Sequence, residues 1–410
     1  MKLGQLITKA RLVARGFEED SSELRTDSPT RTKQTLRFIM AVCSSKEWII
    51  HSMDISSAFL QGREIQRVIY LRPPSDVCDS SRIWKLRKPI YGLNDVSRAW
   101  YQSLKKELLK LDGRMSLLDN ALFIWHDENR NLIGILGLHV DDFFYGGEPS
   151  WHGKVINSVL RIFKISSQEE SMFKYVGLKV VQSSKALFVD QIAYIDQLQE
   201  VDIENAQDIT RPLNDVEQTQ LRSIGGQLTW AVSQTRPDMA YDSCRLNNSM
   251  KDATVKSLKE ANKAIRKIKN HKVRLSFPKL RDIETSKLVV YTDASHASLP
   301  DGSSQGALII FLVDTNGTSV PISWQSKKIR RVTKSPLASE TLAMGEGADT
   351  AYYLASLFHE IFPNHPLPKI HCITDSKSLV DTMHTTHQLE DKRLFSLNKA
   401  LYKKTVHFFL

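Results

Sequence analysis

Two adjacent carboxylates lie between apolar residues in the stretch Leu138-His139-Val140-Asp141-Asp142-Phe143-Phe144-Tyr145-Gly146-Gly147. The apolar flanks and the Gly-Gly that follows predict a strand, a tight turn and a second strand, with both acids at or beside the turn. Two unit charges about 4 Å apart repel by roughly 4 kcal/mol at an effective dielectric of about 20. A pair held in a cleft therefore favours divalent cations, although an isolated Asp-Asp is more often a solvated turn.

A third acid follows a second apolar segment. Asp54 lies in His51-Ser52-Met53-Asp54-Ile55, which Trp48-Ile49-Ile50 precedes, and Phe59 follows five positions after the acid. Three carboxylates from two strands are the minimum set that can hold two metal ions. One ion activates a hydroxyl and the other takes charge from a triphosphate leaving group. The two segments together predict a two-metal site for nucleotidyl transfer.

Further motifs surround these acids, and their order carries the strongest signal. The motifs are Lys9–Phe17 (KARLVARGF), Ile69–Pro74 (IYLRPP), Tyr91–Asp95 with Arg98–Tyr101, and Tyr175–Leu178. Their order resembles the reverse transcriptase plus ribonuclease H region of copia-type LTR retrotransposon Pol polyproteins. The resemblance implies an α+β fold, a right-hand polymerase with fingers, palm and thumb, followed by a ribonuclease H-like α/β domain.

The resemblance also implies roles for individual residues of the first site. Asp54, Asp141 and Asp142 would be catalytic residues that bind two Mg²⁺ ions, for which Mn²⁺ can substitute. Arg11 and Arg15 would meet the incoming triphosphate. Their alternation with apolar residues is also typical of a basic edge strand.

Two more nucleotide-site residues follow from the same resemblance. Phe59 would close the floor of the nucleotide site against a 2′-hydroxyl, although a core phenylalanine is the more common fate of such a residue. Gly92 would let the backbone approach a templating base closely, and a turn that precedes a helix is the ordinary alternative.

A second set of acids lies in the last third of the chain. Asp293 ends the apolar segment from Leu288, Glu340 lies in the first turn of a predicted helix from Ser335, and Asp375 ends the segment from Ile370. The predicted order of three strands, helix, strand and helix resembles a ribonuclease H domain. That resemblance implies that the three acids are catalytic and hold two Mg²⁺ ions for hydrolysis of RNA in an RNA:DNA hybrid.

The chain departs from the family pattern at both ends. It begins almost inside the fingers, and it stops after a predicted strand at 405–410, before the last helix that carries a fourth carboxylate in the family. We therefore expect weaker nuclease than polymerase activity. The predicted domains are fingers and palm over 1–185, thumb and connection over 186–285, and the ribonuclease H-like domain over 286–410.

Helical periodicity predicts four helices that bear on function. They lie around 32–44, around Trp100 to Leu108, over 221–232 and over 255–268. Residues 251–281 carry eleven Lys or Arg against two acids. This surface fits a nucleic-acid backbone, and a solvated helix face is the alternative.

Composition excludes several other classes of protein. The chain has 410 residues, of which 41% are hydrophobic and 25% charged, as expected for two or three globular domains. Four scattered cysteines form no CxxC pair, so neither a zinc site nor a disulfide framework is predicted. No signal peptide and no run of about 18 apolar residues is present, so we expect an intracellular protein that spans no membrane, in the cytoplasm or in virus-like particles, with the nucleus as a second location.

The net charge of +10 fits a polyanionic partner, although a basic surface without a ligand would give the same value. The predicted partners are an RNA template, a DNA primer, an RNA:DNA hybrid and deoxynucleoside triphosphates. The alternative is a catalytically inactive, decayed or host-retained fragment that binds nucleic acid. The presence of all three palm acids argues against long decay.

Overall fold

The computed structural model describes residues 12–20, 22, 24–65, 67–74, 77, 82–384 and 406–409. These residues form two compact units, each of which gathers several stretches of the chain. Unit 1 contains the described residues of 1–32, 51–127 and 132–169, and unit 2 contains those of 33–50, 128–131 and 170–410.

The strands of the described residues are numbered in chain order. They are β1 His51–Ile55, β2 Tyr70–Leu71, β3 Trp84–Lys85, β4 Arg114–Met115, β5 Leu122–His126, β6 Leu132–His139, β7 Asp142–Gly147, β8 Ile165–Glu170, β9 Met172–Tyr175, β10 Leu178–Gln182, β11 Ala186–Asp190, β12 Leu275–Pro278, β13 Lys287–Ser295, β14 Gln305–Val313, β15 Ser319–Lys328, β16 Ile370–Ile373 and β17 Val406–Phe409.

The helices are numbered in the same way. They are α1 Lys33–Ser45, α2 Ala58–Gln61, α3 Val96–Lys110, α4 Pro149–Trp151, α5 Asn157–Ile162, α6 Ile192–Asp196, α7 Asp215–Gln234, α8 Ala240–Asn248, α9 Val255–Asn270, α10 Pro336–Ile361 and α11 Lys377–His384. A π-helical segment, His152–Ile156, joins α4 to α5.

Unit 1 is built on a six-stranded sheet with the order β4-β5-β6-β7-β1-β8. The apolar runs of β6 and β7 form its centre, and His139 pairs with Asp142 across a two-residue turn. The predicted strand, turn and strand are therefore confirmed. Trp151 packs so closely on this sheet that a Cβ atom at Gly134 would lie 2.3 Å from its ring, which explains the glycine there.

Helix α3 packs on this sheet through the stripe that the sequence predicts. Trp100, Tyr101, Leu104 and Leu108 are all buried in one core with residues of β5, β6 and β7. Burial of each such side chain contributes about 1.5 to 3 kcal/mol, so the stripe fixes the helix on the sheet.

Unit 2 contains α1, although the sequence analysis places this helix in the polymerase segment. Residues 35–45 are all buried, because the helix has no continuous polar face. It packs against β11, β12 and β15. A hydrogen bond of 2.7 Å from Ser44 Oγ to the carbonyl of Phe277 ties it to β12.

The middle of unit 2 combines a four-stranded sheet and a helical bundle. The sheet has the order β12-β11-β10-β9, and β9 and β10 form a hairpin around the motif Tyr175–Leu178. Helices α7 and α9, which the sequence predicts, share one hydrophobic core with part of α8. Asn214 and Glu217 form a capping box that fixes the start of α7.

The rest of unit 2 is a five-stranded sheet with the order β15-β14-β13-β16-β17. Strands β13, β14 and β15 form an antiparallel meander, and β16 and β17 extend it in parallel. Helix α10 packs on β13 and β14. This is the predicted ribonuclease H-like order. The one correction is that Glu340 is the fifth residue of α10, just past its first turn, because the helix begins at Pro336.

No helix of the described residues has both the length and the apolar content needed to cross a bilayer.

Substitution of the buried Arg37 tests how α1 stabilises unit 2. Its guanidinium lies 3.5 Å above the Trp324 ring and donates to the carbonyls of Ile322, Ser233 and Gln234. An ammonium lacks the planar fork, so Arg37→Lys should lower the free energy of unfolding by about 2 kcal/mol, measured by urea denaturation. The exposed Arg222→Lys should change it by less than about 0.5 kcal/mol. Equal effects of the two substitutions would contradict this assignment.

Candidate active sites

The first site lies beside the β6–β7 turn of the unit 1 sheet, where the neighbouring inner strands β1 and β7 run antiparallel. Asp54 of β1 lies directly opposite Asp142 of β7. Asp141 occupies the adjoining turn, and its carbonyl accepts a hydrogen bond of 3.1 Å from the Ile55 N–H. Directly opposed residues of an antiparallel pair have Cα atoms about 4.5 to 5.5 Å apart. The fold therefore brings the three predicted acids together.

The electrostatics of this site follow from partial burial of like charges. Burial, and then the charges of Asp141 and Asp54, raise the pKa of Asp142 to about 6, against the opposing effect of Arg31. Burial, reinforced by Arg31, lowers the pKa of His139. A cation bound among the three acids would relieve the repulsion that raises the pKa of Asp142.

Two neighbours of this site give no signal in the sequence. Ser166 of β8 donates a hydrogen bond from Oγ to the carboxylate of Asp54. The Arg31 N–H donates to the carbonyl of Leu138 at 2.9 Å, which places Arg31 beside the acids. Both residues are far from the acids along the chain, so only the sheet pairing reveals them.

The residues predicted to bind the triphosphate are only partly described. Arg11 lies outside the described residues. Arg15 is exposed and forms an ion pair of 3.1 Å with Glu18. Its predicted role at the triphosphate stays a prediction.

Phe59 and Gly92 lie on segments that contact each other. The Phe59 ring on α2 is half-buried, and its centroid lies 4.8 Å from that of Tyr91. Gly92 has a φ of 93°, and a Cβ atom there would lie 2.0 Å from the carbonyl oxygen of Ala14. Packing within the chain therefore already requires glycine at 92, and its role at a template base stays a prediction.

The second site lies in unit 2 at one end of the five-stranded sheet. Strands β13 and β16 are parallel, so Asp293 near the end of β13 and Asp375 just after β16 lie at the same edge. Glu340 reaches them from α10. One carboxylate oxygen of each acid lies within 4.8 Å of those of the other two. The fold thus also brings the second predicted set together.

Glu340 is the buried member of this set. Within the described part of the chain, one of its oxygens accepts a hydrogen bond of 3.2 Å from the Ala294 N–H, and its buried Oε2 has no hydrogen-bond donor. Burial raises the pKa of Glu340 to about 7, and the charges of Asp293 and Asp375 add to that rise, against the effect of the Ala294 N–H.

Both clusters present oxygen ligands, which hard cations such as Mg²⁺ prefer. The Oε2 atom of Glu340 is a buried acceptor without a donor, and a cation is one partner that satisfies such an atom. The residues of the second site therefore fit a divalent ion.

Several positive charges of the basic segment 251–281, which includes α9, are already engaged in ion pairs. Arg266 pairs with Glu200, Lys267 with Asp242 and Lys272 with Asp196. In the described part of the chain, Lys256, Lys259 and Lys263 form an exposed row on α9 without an ion-pair partner. The positive surface of this helix is thus narrower than the count of charges indicates.

A sheet that carries three acids beside a hairpin turn, followed in the chain by a ribonuclease H-like domain, defines the class of reverse transcriptases joined to ribonuclease H. The model of the family "Reverse transcriptase (RNA-dependent DNA polymerase)" matches residues 2–215, and this chain belongs to that family.

Relatives of the chain are Pol polyproteins of transposons. It is 28% identical over 382 residues to the Retrovirus-related Pol polyprotein from transposon RE1 of Arabidopsis thaliana, with 86% of this chain and 25% of that protein covered. It is 25% identical over 406 residues to that from transposon TNT 1-94 of Nicotiana tabacum, with 91% and 29% covered. The chain spans a quarter to three tenths of the length of these relatives, and the predicted resemblance to copia-type polyproteins is confirmed.

A solved structure is similar in fold along most of the chain. It is the foamy viral protease-reverse transcriptase in complex with RNA/DNA hybrid, with a TM-score of 0.53 and 14% identity over 94% of this chain and 46% of that one. The predicted fold class, a polymerase followed by a ribonuclease H-like domain, is confirmed.

The raised pKa of Glu340 predicts a pH-dependent stability in metal-free buffer. A carboxyl whose pKa in the folded state is higher than its ordinary value of 4.5 binds more protons when folded, so the free energy of unfolding falls as pH rises from about 4.5 to about 7. Glu340→Gln removes this penalty. It should stabilise the protein by about 1 to 3 kcal/mol at pH 8 and by much less at pH 5, measured by urea denaturation in EDTA.

The matched control is Glu346→Gln, a half-exposed acid on the same helix that pairs with Lys327. It should show little gain at pH 8, because the loss of its ion pair with Lys327 offsets the repulsion with Asp349 that it relieves. A gain for Glu340→Gln that is equal at pH 5 and pH 8 would count against the proposed electrostatics.

Proposed function

We propose that the chain catalyses RNA-directed DNA synthesis, in which a primer 3′-hydroxyl attacks the α-phosphate of a deoxynucleoside triphosphate and pyrophosphate leaves. One observation carries the proposal. Asp54 and Asp142 are directly opposed on β1 and β7, and Asp141 is joined to the same strand pair. The finding that the chain belongs to the reverse transcriptase family supports it.

Asp54, Asp141 and Asp142 would hold two Mg²⁺ ions, and Mn²⁺ would substitute. When bound, such a pair activates the attacking hydroxyl and takes charge from the leaving group. The protein contributes a rigid arrangement. Sheet pairing holds Asp142 opposite Asp54, and the Ser166 hydroxyl orients the Asp54 carboxylate through a hydrogen bond.

Residues of the first segment would bind the nucleotide. Phe59 lies on the short helix that follows Asp54 in the chain, where its ring would lie under the sugar and disfavour a 2′-hydroxyl. Arg15, with Arg11, would meet the triphosphate, and Gly92 would lie near the template base. These four assignments rest on the resemblance to related polymerases.

The second reaction that we propose is hydrolysis of the RNA strand of an RNA:DNA hybrid at Asp293, Glu340 and Asp375. Their carboxylate oxygens converge within 4.8 Å, and the buried Oε2 of Glu340 supports a bound cation. Over the chain, the domain boundaries proposed are 1–185, 186–285 and 286–410.

The partners proposed are an RNA template, a DNA primer, their hybrid and deoxynucleoside triphosphates. The net charge of +10 and the exposed row Lys256, Lys259 and Lys263 support contacts to phosphates. The similar foamy viral structure is itself a complex with an RNA/DNA hybrid. Binding of this kind weakens steeply as salt rises.

Substitution of the turn acids tests the polymerase proposal. Asp141→Asn and Asp142→Asn should each abolish primer extension on an RNA template. A neutral amide binds Mg²⁺ more weakly than a carboxylate and does not neutralise its positive charge. Affinity for a labelled hybrid, measured by filter binding, should stay the same or rise slightly, since negative charge near phosphates is removed. Asp112→Asn, an exposed acid of unit 1 that pairs with Lys154, is the control and should extend normally.

Extension by either turn variant at the wild-type rate would refute the metal-site assignment. A wild-type chain that binds hybrid but extends no primer with Mg²⁺ or Mn²⁺ would favour the alternative, an inactive nucleic-acid-binding fragment.

The nuclease proposal is tested separately. Asp293→Asn should stop cleavage of a labelled RNA strand within a hybrid, because it removes an acid shared by the cluster, while primer extension continues at a similar rate. Asp301→Asn, an exposed acid that pairs with Lys328, is the control and should leave cleavage intact. Unchanged cleavage by Asp293→Asn would show that the activity lies elsewhere.

A further inference from the structure

The turn between the paired acids has an unusual backbone conformation. Val140, the first of its two loop residues, has a φ of 61°, in the left-handed region. A β-branched residue is a genuine outlier there, because its Cβ substituents crowd the adjacent carbonyl. Such a conformation persists only where surrounding contacts hold it. Contacts around Val140 must therefore maintain its left-handed conformation.

A buried tryptophan supplies the main contact. The indole N–H of Trp100 donates a hydrogen bond of 3.0 Å to the carbonyl oxygen of Val140. Trp100 belongs to α3, is 1% exposed and packs edge-on against the Phe163 ring at 5.2 Å. Because its ring is buried and packs against Phe163, its N–H lies at a fixed place.

This hydrogen bond acts on the peptide that connects Val140 to Asp141. In a two-residue hairpin turn, the carbonyl of the first loop residue is not part of the strand pairing, so its direction is set by the turn conformation alone. A fixed donor at that carbonyl selects one orientation of the peptide. The position of Asp141, and the start of β7 at Asp142, depend on that orientation.

We propose that Trp100 is a positioning residue of the polymerase site, which holds the strained Val140 turn so that Asp141 and Asp142 stay beside Asp54. The inference rests on the proposed polymerase function. It explains why the motif Arg98–Tyr101, which the sequence singles out, belongs to the site although Trp100 does not reach the acids through its own ring.

The chain offers a closely matched control. Trp125 is also buried in unit 1, at 2% exposure, and its indole N–H donates to the carbonyl of Leu111 at 2.8 Å. Trp125→Phe removes the same kind of ring and the same kind of hydrogen bond away from the turn. A loss of activity that follows from general destabilisation would therefore appear in both variants.

The experiment is a double-mutant cycle measured by steady-state primer extension across Mg²⁺ concentrations. Trp100→Phe should lower kcat about 10- to 100-fold and raise the Mg²⁺ concentration needed, with little change in the KM for template-primer. Trp125→Phe should lower kcat by less than about threefold. Glycine adopts positive φ without strain, so Trp100→Phe should cost clearly less in a Val140→Gly background.

Equal losses for Trp100→Phe and Trp125→Phe, or an unchanged cost of Trp100→Phe in the glycine background, would overturn the inference while wild-type extension still upheld the proposed function. If Trp100→Phe does not fold, or if the wild-type chain does not extend primers, a second measurement replaces the kinetics. The indole N–H NMR signals of the wild-type protein are then followed during a Mg²⁺ titration. The Trp100 signal should shift and the Trp125 signal should not, and a Trp100 signal that stays in place would overturn the inference.

Discussion

Repulsion among carboxylates is the constraint on which the function of this molecule depends. Asp54, Asp141 and Asp142 are held together in a half-buried site, where the pKa of Asp142 rises to about 6. Such an arrangement opposes folding unless rigid surroundings maintain it, and here the ladder between β1 and β7 does so. Stability is thus given up locally to hold three carboxylates together, which is the usual relation between a functional site and its scaffold.

The second site also holds three carboxylates close together, but it does so with different elements. Parallel strands bring Asp293 and Asp375 to one edge, and a helix supplies the buried Glu340. Among the described residues, no donor forms a hydrogen bond to the buried Oε2 atom of Glu340, which supports the proposal that this oxygen binds a cation. Two unrelated frameworks in one chain thus each gather three carboxylates. Under the proposed function both sets would supply oxygen ligands, because a two-metal mechanism of phosphate ester transfer requires similar charge in both sites.

Charge outside the two sites is distributed less simply than the sequence indicates. Among the described residues, six of the eleven basic residues over 251–281 form ion pairs, such as Arg266 with Glu200, and a short row of exposed lysines on α9 does not. Exposed pairs of this kind contribute little to stability, and they reduce the field that a polyanion would meet. A count of charges over a segment therefore overstates the positive surface available for binding, because acids that are distant in sequence form ion pairs with its basic residues.

The sequence by itself predicted the strand pair around Asp141 and Asp142, the helices α1, α3, α7 and α9 and the ribonuclease H-like order of elements, and it singled out the six acids as candidates. Apolar periodicity and acids at strand ends are local patterns, so they can be read without the tertiary structure. The turn at 140–141 and the stripe on α3 were predicted in this way. Only the tertiary structure decided that α1 joins unit 2, that Ser166 bonds to Asp54 and that Trp100 holds the turn. These contacts link residues distant in the chain through single side-chain atoms, and no local pattern encodes such a pairing.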